Sequence, residues 1–144
     1  MTQMRRSFEG SCHCGRISVR FETNKAPASL EVRTCQCAFC RRHGARAISD
    51  PEGFMAVTAE AGREAKAYRF GLGVTDFLVC PDCGCYVAAV MNEGDKAYGI
   101  VNIRMLADEA AFPTAETPRV YDAEDAEARL ARRRAAWTPM AAAP

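Results

Sequence analysis

Between Thr34 and Gly44 the chain reads TCQCAFCRRHG, so that Cys35, Cys37 and Cys40 fall in a C-x-C-x-x-C run followed at once by Arg41 and Arg42. Two further groups flank it, Cys12 and Cys14 in CHC and Cys80, Cys83 and Cys85 in CPDCGC; together the three groups hold all 8 cysteines. A tetrahedral zinc with Zn–S near ~2.3 Å needs its sulfurs about 3.8 Å apart. Residues i and i+2 of an extended segment point to one face, so a C-x-C pair can offer both thiolates to one ion. A C-x-x-C pair achieves the same by curling back. Cys12, Cys14, Cys80 and Cys83 then make a closed, structural zinc site that ties distant parts of the chain together. Cys35, Cys37 and Cys40 supply only three thiolates, which leaves a fourth position free, as in catalytic zinc sites. All-thiolate ligand sets suit zinc better than magnesium or calcium. The competing reading is disulfides or idle thiols, and a C-x-C disulfide is strained.

The neighbours of the open trio are the next candidates. Arg41, Arg42 and Arg46 could offset thiolate charge or hold a substrate carboxylate; otherwise they are solvated surface charges. His43, three residues after Cys40, could shuttle a proton or complete the coordination, or stand exposed and idle. His13 lies between two ligands and reads as filler. Cys85 reads as a small buried residue rather than a spare ligand or nucleophile. Phe39, Tyr86 and Trp137 read as core.

The elements that must position these groups are mostly strands. Residues 16–22 (RISVRFE) alternate, with Ile17, Val19 and Phe21 on one face. Residues 30–34 alternate again and deliver the chain to Cys35, and the cysteine run with its RRHG exit reads as a loop. A short strand is expected over 45–49, a turn at 50–53, weaker strands over 54–60 and 65–70, a corner at 71–73, and a strand over 75–79. Residues 86–91 and 97–103, parted by Asn92-Glu93-Gly94-Asp95, read as a hairpin. Residues 112–118 read as a surface connection. Residues 122–137 are predicted helical, with acidic residues early and Arg129, Arg132, Arg133 and Arg134 late, and docked through Leu130 and Trp137. The basic patch on that helix reads as a solvated end. The Ala-Ala-Ala-Pro tail is low in complexity.

The chain has 144 residues, 49% of them hydrophobic and 26% charged, enough for one domain with a real core. We divide it into an N-terminal arm (1–7), a zinc-binding domain (8–106), and a C-terminal connection, helix and tail (107–144) packed on the same domain. A formal charge of +1 gives no electrostatic case for nucleic acid or an anionic membrane as partner. No run approaches the ~18 apolar residues of a span, and no signal peptide is expected. A cytoplasmic location follows as the expectation, where thiols stay reduced and clustered cysteines bind metal.

With Gly10-Ser11-Cys12-His13-Cys14-Gly15 and Ile17, Cys35-Gln36-Cys37-Ala38-Phe39-Cys40-Arg41 with Gly44-Ala45, and Cys80-Pro81-Asp82-Cys83-Gly84, the chain resembles the glutathione-dependent formaldehyde-activating enzyme family, also called the CENP-V/GFA domain. The resemblance covers about residues 8 to 106, with His43 and Cys85 departing from the family pattern. It implies a mainly β, Mss4-like β-tent of antiparallel sheets stapled by zinc, to which the sequence adds a C-terminal α-helix. It also implies structural zinc on Cys12, Cys14, Cys80 and Cys83 and a second zinc on Cys35, Cys37 and Cys40. The implied activity is carbon–sulfur lyase chemistry on an adduct of formaldehyde with glutathione. On that reading Cys35, Cys37, Cys40, Arg41 and His43 are the catalytic candidates. A zinc-stapled interaction module and a thiol redox enzyme are the alternatives.

Overall fold

Alternation of apolar residues with polar ones gives, among the described residues, eleven strands that join one sheet. The computed structural model describes residues 5–141. Strand β1 (Arg6–Ser11) pairs antiparallel with β2 (Ser18–Thr23), setting Phe8 opposite Phe21. β2 pairs antiparallel with β5 (Phe54–Thr58), setting Phe21 opposite Met55. Ile17, Val19 and Phe21 are all buried, as the alternation predicts. The strand starts two residues later than expected because residues 12–17 are used in a turn that carries Cys12 and Cys14.

The other half of the sheet is built on β8 (Tyr86–Glu93) and β9 (Lys96–Asn102). Glu93 pairs with Lys96, leaving the two-residue turn Gly94-Asp95 with Gly94 at φ +64°. That is the glycine position a type II′ hairpin demands. Every residue of β8 from Tyr86 to Met91 is buried, because both faces of the strand are covered. β8 continues to β7 (Asp76–Val79) and β6 (Lys66–Tyr68), all antiparallel. On its other edge β9 pairs with β4 (Ala47–Ile48), and β4 pairs with β3 (Arg33–Cys35).

The mainly β fold with a helix near the C-terminus is as expected, and it differs from the expected one in detail. The run after Cys37 is not a loop but a short helix, α1 (Ala38–His43), whose end is closed by Gly44 at φ +57°. The sheet is not wholly antiparallel, since β10 (Thr117–Arg119) runs parallel to β3 and β11 (Thr138–Met140) parallel to β5. β11 follows the second helix, α2 (Ala126–Ala136), and lies between β5 and β9. A three-residue strand with a central proline has no readable period, so its pairing is decided by the partners that flank it. The helix expected over 122–137 starts only at Ala126, where the Asp125 side chain accepts from the Ala128 N–H at 2.8 Å. Of residues 1–7, Arg6 and Ser7 lie in β1 and residues 1–4 fall outside the described residues, as do residues 142–144 of the tail.

The buried side chains form two clusters. One contains Phe8, Ile17, Val19, Phe21, Val32, Ile48, Met55, Val87 and Val101 together with Cys12 and Cys80. The second gathers Cys40, Ala45, Phe77, Tyr86, Ala89, Met91 and Trp137. Each cluster therefore abuts one of the cysteine groups. Among the described residues no helix is long and apolar enough to cross a membrane.

Candidate metal centres

Cys12 leaves β1 and enters a turn in which the Gly15 N–H bonds the Cys12 carbonyl at 3.1 Å and the Ile17 N–H bonds the Cys12 sulfur at 3.2 Å. Cys14 therefore reaches the Cys12 side not along an extended strand but through a turn, with Gly15 at φ +84°. The end of β7 makes a matching turn, where the Gly84 N–H bonds the Cys80 carbonyl at 2.8 Å and Gly84 takes φ +80°. The two turns face each other. Their sulfurs, on Cys12, Cys14, Cys80 and Cys83, all lie within 4.8 Å of one another. Cys12 and Cys14 are 3.7 Å apart and Cys14 and Cys80 3.6 Å, which matches the edge of a tetrahedral zinc–thiolate site. Arg16 on one turn pairs with Asp82 on the other at 3.0 Å. Burial alone would raise the Cys83 thiol, but the N–H groups of Cys85 and Cys14 and the neighbouring thiols outweigh it and bring it down to about 5. Cys85 stands outside the group of four, half-buried against the first apolar cluster.

The second group is assembled from three local geometries. Cys35 ends β3, Cys37 is the extended residue that caps α1, and Cys40 lies in the first turn of that helix. The Cys37 sulfur accepts from the Cys40 N–H at 3.3 Å. The sulfurs of Cys35, Cys37 and Cys40 lie within 4.8 Å of one another, and no fourth ligand-type side chain joins them among the described residues. Hydrogen bonds from Cys35 and then Cys40 bring Cys37 down to about 2, while Cys35 and Cys37 together push Cys40 far up. The opposite shifts arise because the three adjacent sulfurs share hydrogen bonds and charge, and a bound cation would take the place of their protons. Both groups fit a thiophilic divalent ion.

His43 does not join the trio. Its exposed ring lies 4.6 Å from Phe39 and 5.7 Å from Tyr86, in a run of aromatic contacts that continues to Phe70 and Phe77. Arg41 and Arg42 are exposed on α1, and Arg42 folds back to the Ala38 carbonyl. Arg46 is neither a solvated charge nor a partner of the sulfurs. It is buried and pairs with Glu109 at 3.1 Å and Glu116 at 2.9 Å, pinning the C-terminal connection.

Other residues stand where those arginines were expected. A cavity of about 50 Å³ is lined by Cys35 and Cys40 together with Arg33, Tyr86, Arg133 and Trp137. Tyr86 and Trp137 are buried as predicted, yet they also wall this cavity. Burial first, and the sulfurs of Cys40, Cys35 and Cys37 next, push the Tyr86 phenol well up, so it stays protonated. The basic patch of α2 is not a solvated end: Arg133 is 7% exposed, and Arg132 also lines the cavity. Trp137 is the extended residue that ends α2, and the Arg133 guanidinium lies over its ring at 4.3 Å.

A family model described as glutathione-dependent formaldehyde-activating enzyme matches residues 7–121. A solved structure of a Rhodobacter sphaeroides protein is similar in fold, at a TM-score of 0.53 and 24% identity over 78% of this chain and 99% of that one. No curated protein matches the chain.

Proposed function

The chain belongs to the glutathione-dependent formaldehyde-activating enzyme family, and from that premise we propose that it is a zinc-dependent carbon–sulfur lyase acting on a thiol–aldehyde adduct of the S-hydroxymethylglutathione type. The observation that carries this reading is the difference between the two cysteine groups. One offers four sulfurs, the other three, and the three border a cavity through Cys35 and Cys40. Residues 8–106 are the unit proposed to carry the activity, with Tyr121, Arg132, Arg133 and Trp137 of the C-terminal segment supplying cavity wall. We place the reaction in the cytoplasm, where these thiols stay reduced.

Adduct formation makes a bond between sulfur and the carbonyl carbon and moves the thiol proton to the carbonyl oxygen; cleavage reverses both. Cys35, Cys37 and Cys40 would hold the zinc ion, which when bound would supply Lewis acidity that stabilises negative charge on a sulfur or a carbonyl oxygen. Tyr86, held as a phenol, can donate a hydrogen bond to a developing alkoxide. His43, exposed and with its ring 5.7 Å from that of Tyr86, is our candidate to pass the proton between the site and water. Arg41 on α1 offsets the negative charge of the thiolates. Trp137 and Phe77 keep bulk water from the sulfur face.

Calorimetry with glutathione on the zinc-loaded chain and on Cys37→Ser tests the reading. The wild type should carry two zincs, one lost to a mild chelator, and bind the thiol. The variant should carry one and lose that affinity. Two inert zincs with no affinity for thiols would sink the proposal.

A further inference from the structure

Several arginines around the cavity are accounted for by carboxylates. Arg132 binds Glu124 at 2.6 and 3.0 Å and lies over the Tyr121 ring at 3.7 Å. Arg119 binds Glu31 at 2.6 Å. Arg33 and Arg133 differ. Among the described residues neither is in an ion pair, although both line the cavity that Cys35 and Cys40 border. Arg33 meets the Ser49 hydroxyl, and Arg133 meets the Thr75 hydroxyl and lies 4.3 Å from the Trp137 ring centroid. The Arg133 Nε is buried without a hydrogen-bond partner. Both side chains are guanidinium groups and carry their charge at neutral pH.

A buried guanidinium with an idle N–H and no carboxylate in direct contact is costly, unless something that binds there supplies one. Three thiolates and one zinc leave about one negative charge, too little to balance two guanidinium groups. The cavity has room for a group of only a few heavy atoms, and the planar guanidinium fork matches a carboxylate. Outside it a cleft of about 420 Å³ shares Arg33, Tyr121 and Arg132 as lining and could take the remainder of a peptide-sized molecule.

We infer that Arg33 and Arg133 form a carboxylate-binding subsite beside the Cys35–Cys40 face, so that the chain selects thiols that carry a negative charge. This rests on the open-metal reading above and adds to it the residues that choose the substrate. Both are specificity-determining residues that bind the substrate's anionic end. They replace Arg41, Arg42 and Arg46 in that role.

The test is a pair of thiols of equal shape, 3-mercaptopropionate and 3-mercaptopropionamide, titrated into the zinc-loaded chain by calorimetry. Their intrinsic difference in thiol acidity cancels when selectivity is compared between wild type and variant. Charge-assisted recognition should favour the carboxylate by about 10- to 100-fold in the wild type. Arg133→Met and Arg33→Met should each reduce that ratio by about tenfold while leaving amide affinity and zinc content unchanged. Arg133→Lys, which keeps the charge, should retain most of it, and it carries the test with Arg33→Met should Arg133→Met fail to fold. Arg134→Met is the control, because Arg134 pairs with Glu93 outside the cavity. Unchanged selectivity in the arginine variants, or equal loss for both thiols, overturns the subsite and leaves the open-metal reading intact. A wild type with two zincs that binds neither thiol overturns both.

Discussion

Asp50 shows how much a single buried group can hold together. It is 1% exposed, accepts from Thr23 Oγ1 at 2.7 Å, from Lys25 Nζ at 2.8 Å and from the Glu52 N–H at 3.0 Å, and its own N–H donates to Thr138 Oγ1 at 3.0 Å. One residue thus links β2, the turn before β5, and β11. Burial works to raise its carboxyl, but the donors from Lys25, Thr23 and Glu52 outweigh it and hold the pKa below the ordinary carboxylate value. A depressed folded pKa means that this stabilisation is complete above the unfolded value near ~4 and is lost as pH falls through the lower folded value. Asp50→Asn should therefore cost about 1.5–3 kcal/mol at pH 7, with the gap to wild type closing below about pH 4. Urea unfolding of both proteins from pH 3 to 7 checks it, and a gap that is constant with pH would refute the assignment.

At the scale of elements, close backbone approach decides what the cysteine turns can do. A Cβ at Gly10 would lie 1.9 Å from the Met105 carbonyl oxygen and 2.7 Å from the Leu106 Cα, both main-chain atoms that cannot step aside. Gly10 there makes a bridge to Leu106, which fixes the end of β1 immediately before Cys12. Gly10→Ala should lower stability by about 1–3 kcal/mol, read as a drop in Tm with the second zinc site still loaded. The helix α1 is the element that the cysteine spacing concealed. Cys37 caps it and Gly44 ends it in the left-handed conformation, so its start and stop were both written in the chain. Thiol caps are read as ligands first, and six residues are too few for a helical period to emerge.

At the scale of the molecule, the two cysteine groups would do different physical work once metal is bound. The four-sulfur site joins the turn after β1 to the turn after β7, and Cys14 and Cys80 are 66 residues apart. Metal bound there is folding free energy, because the unfolded chain has no such site. The trio spans only one end of a strand and one helical turn. Cys14→Ser should accordingly lower Tm far more than Cys37→Ser, although each removes one zinc. Thermal unfolding with metal analysis checks this, and equal losses would mean that the trio is also a staple.

The sequence by itself determined the two cysteine groups, the strand-rich middle, the β8–β9 hairpin and the family, since each depends on spacing or on alternation within a few residues. Only the tertiary structure decided that Arg46 is consumed by Glu109 and Glu116, that β11 enters the sheet between β5 and β9, and that Arg33 and Arg133 meet at the cavity beside Cys35 and Cys40. Those facts join residues up to 100 positions apart, as Arg33 and Arg133 are. Which charge finds a partner and which is left facing a cavity is set by how the sheet folds over, and no local pattern encodes that.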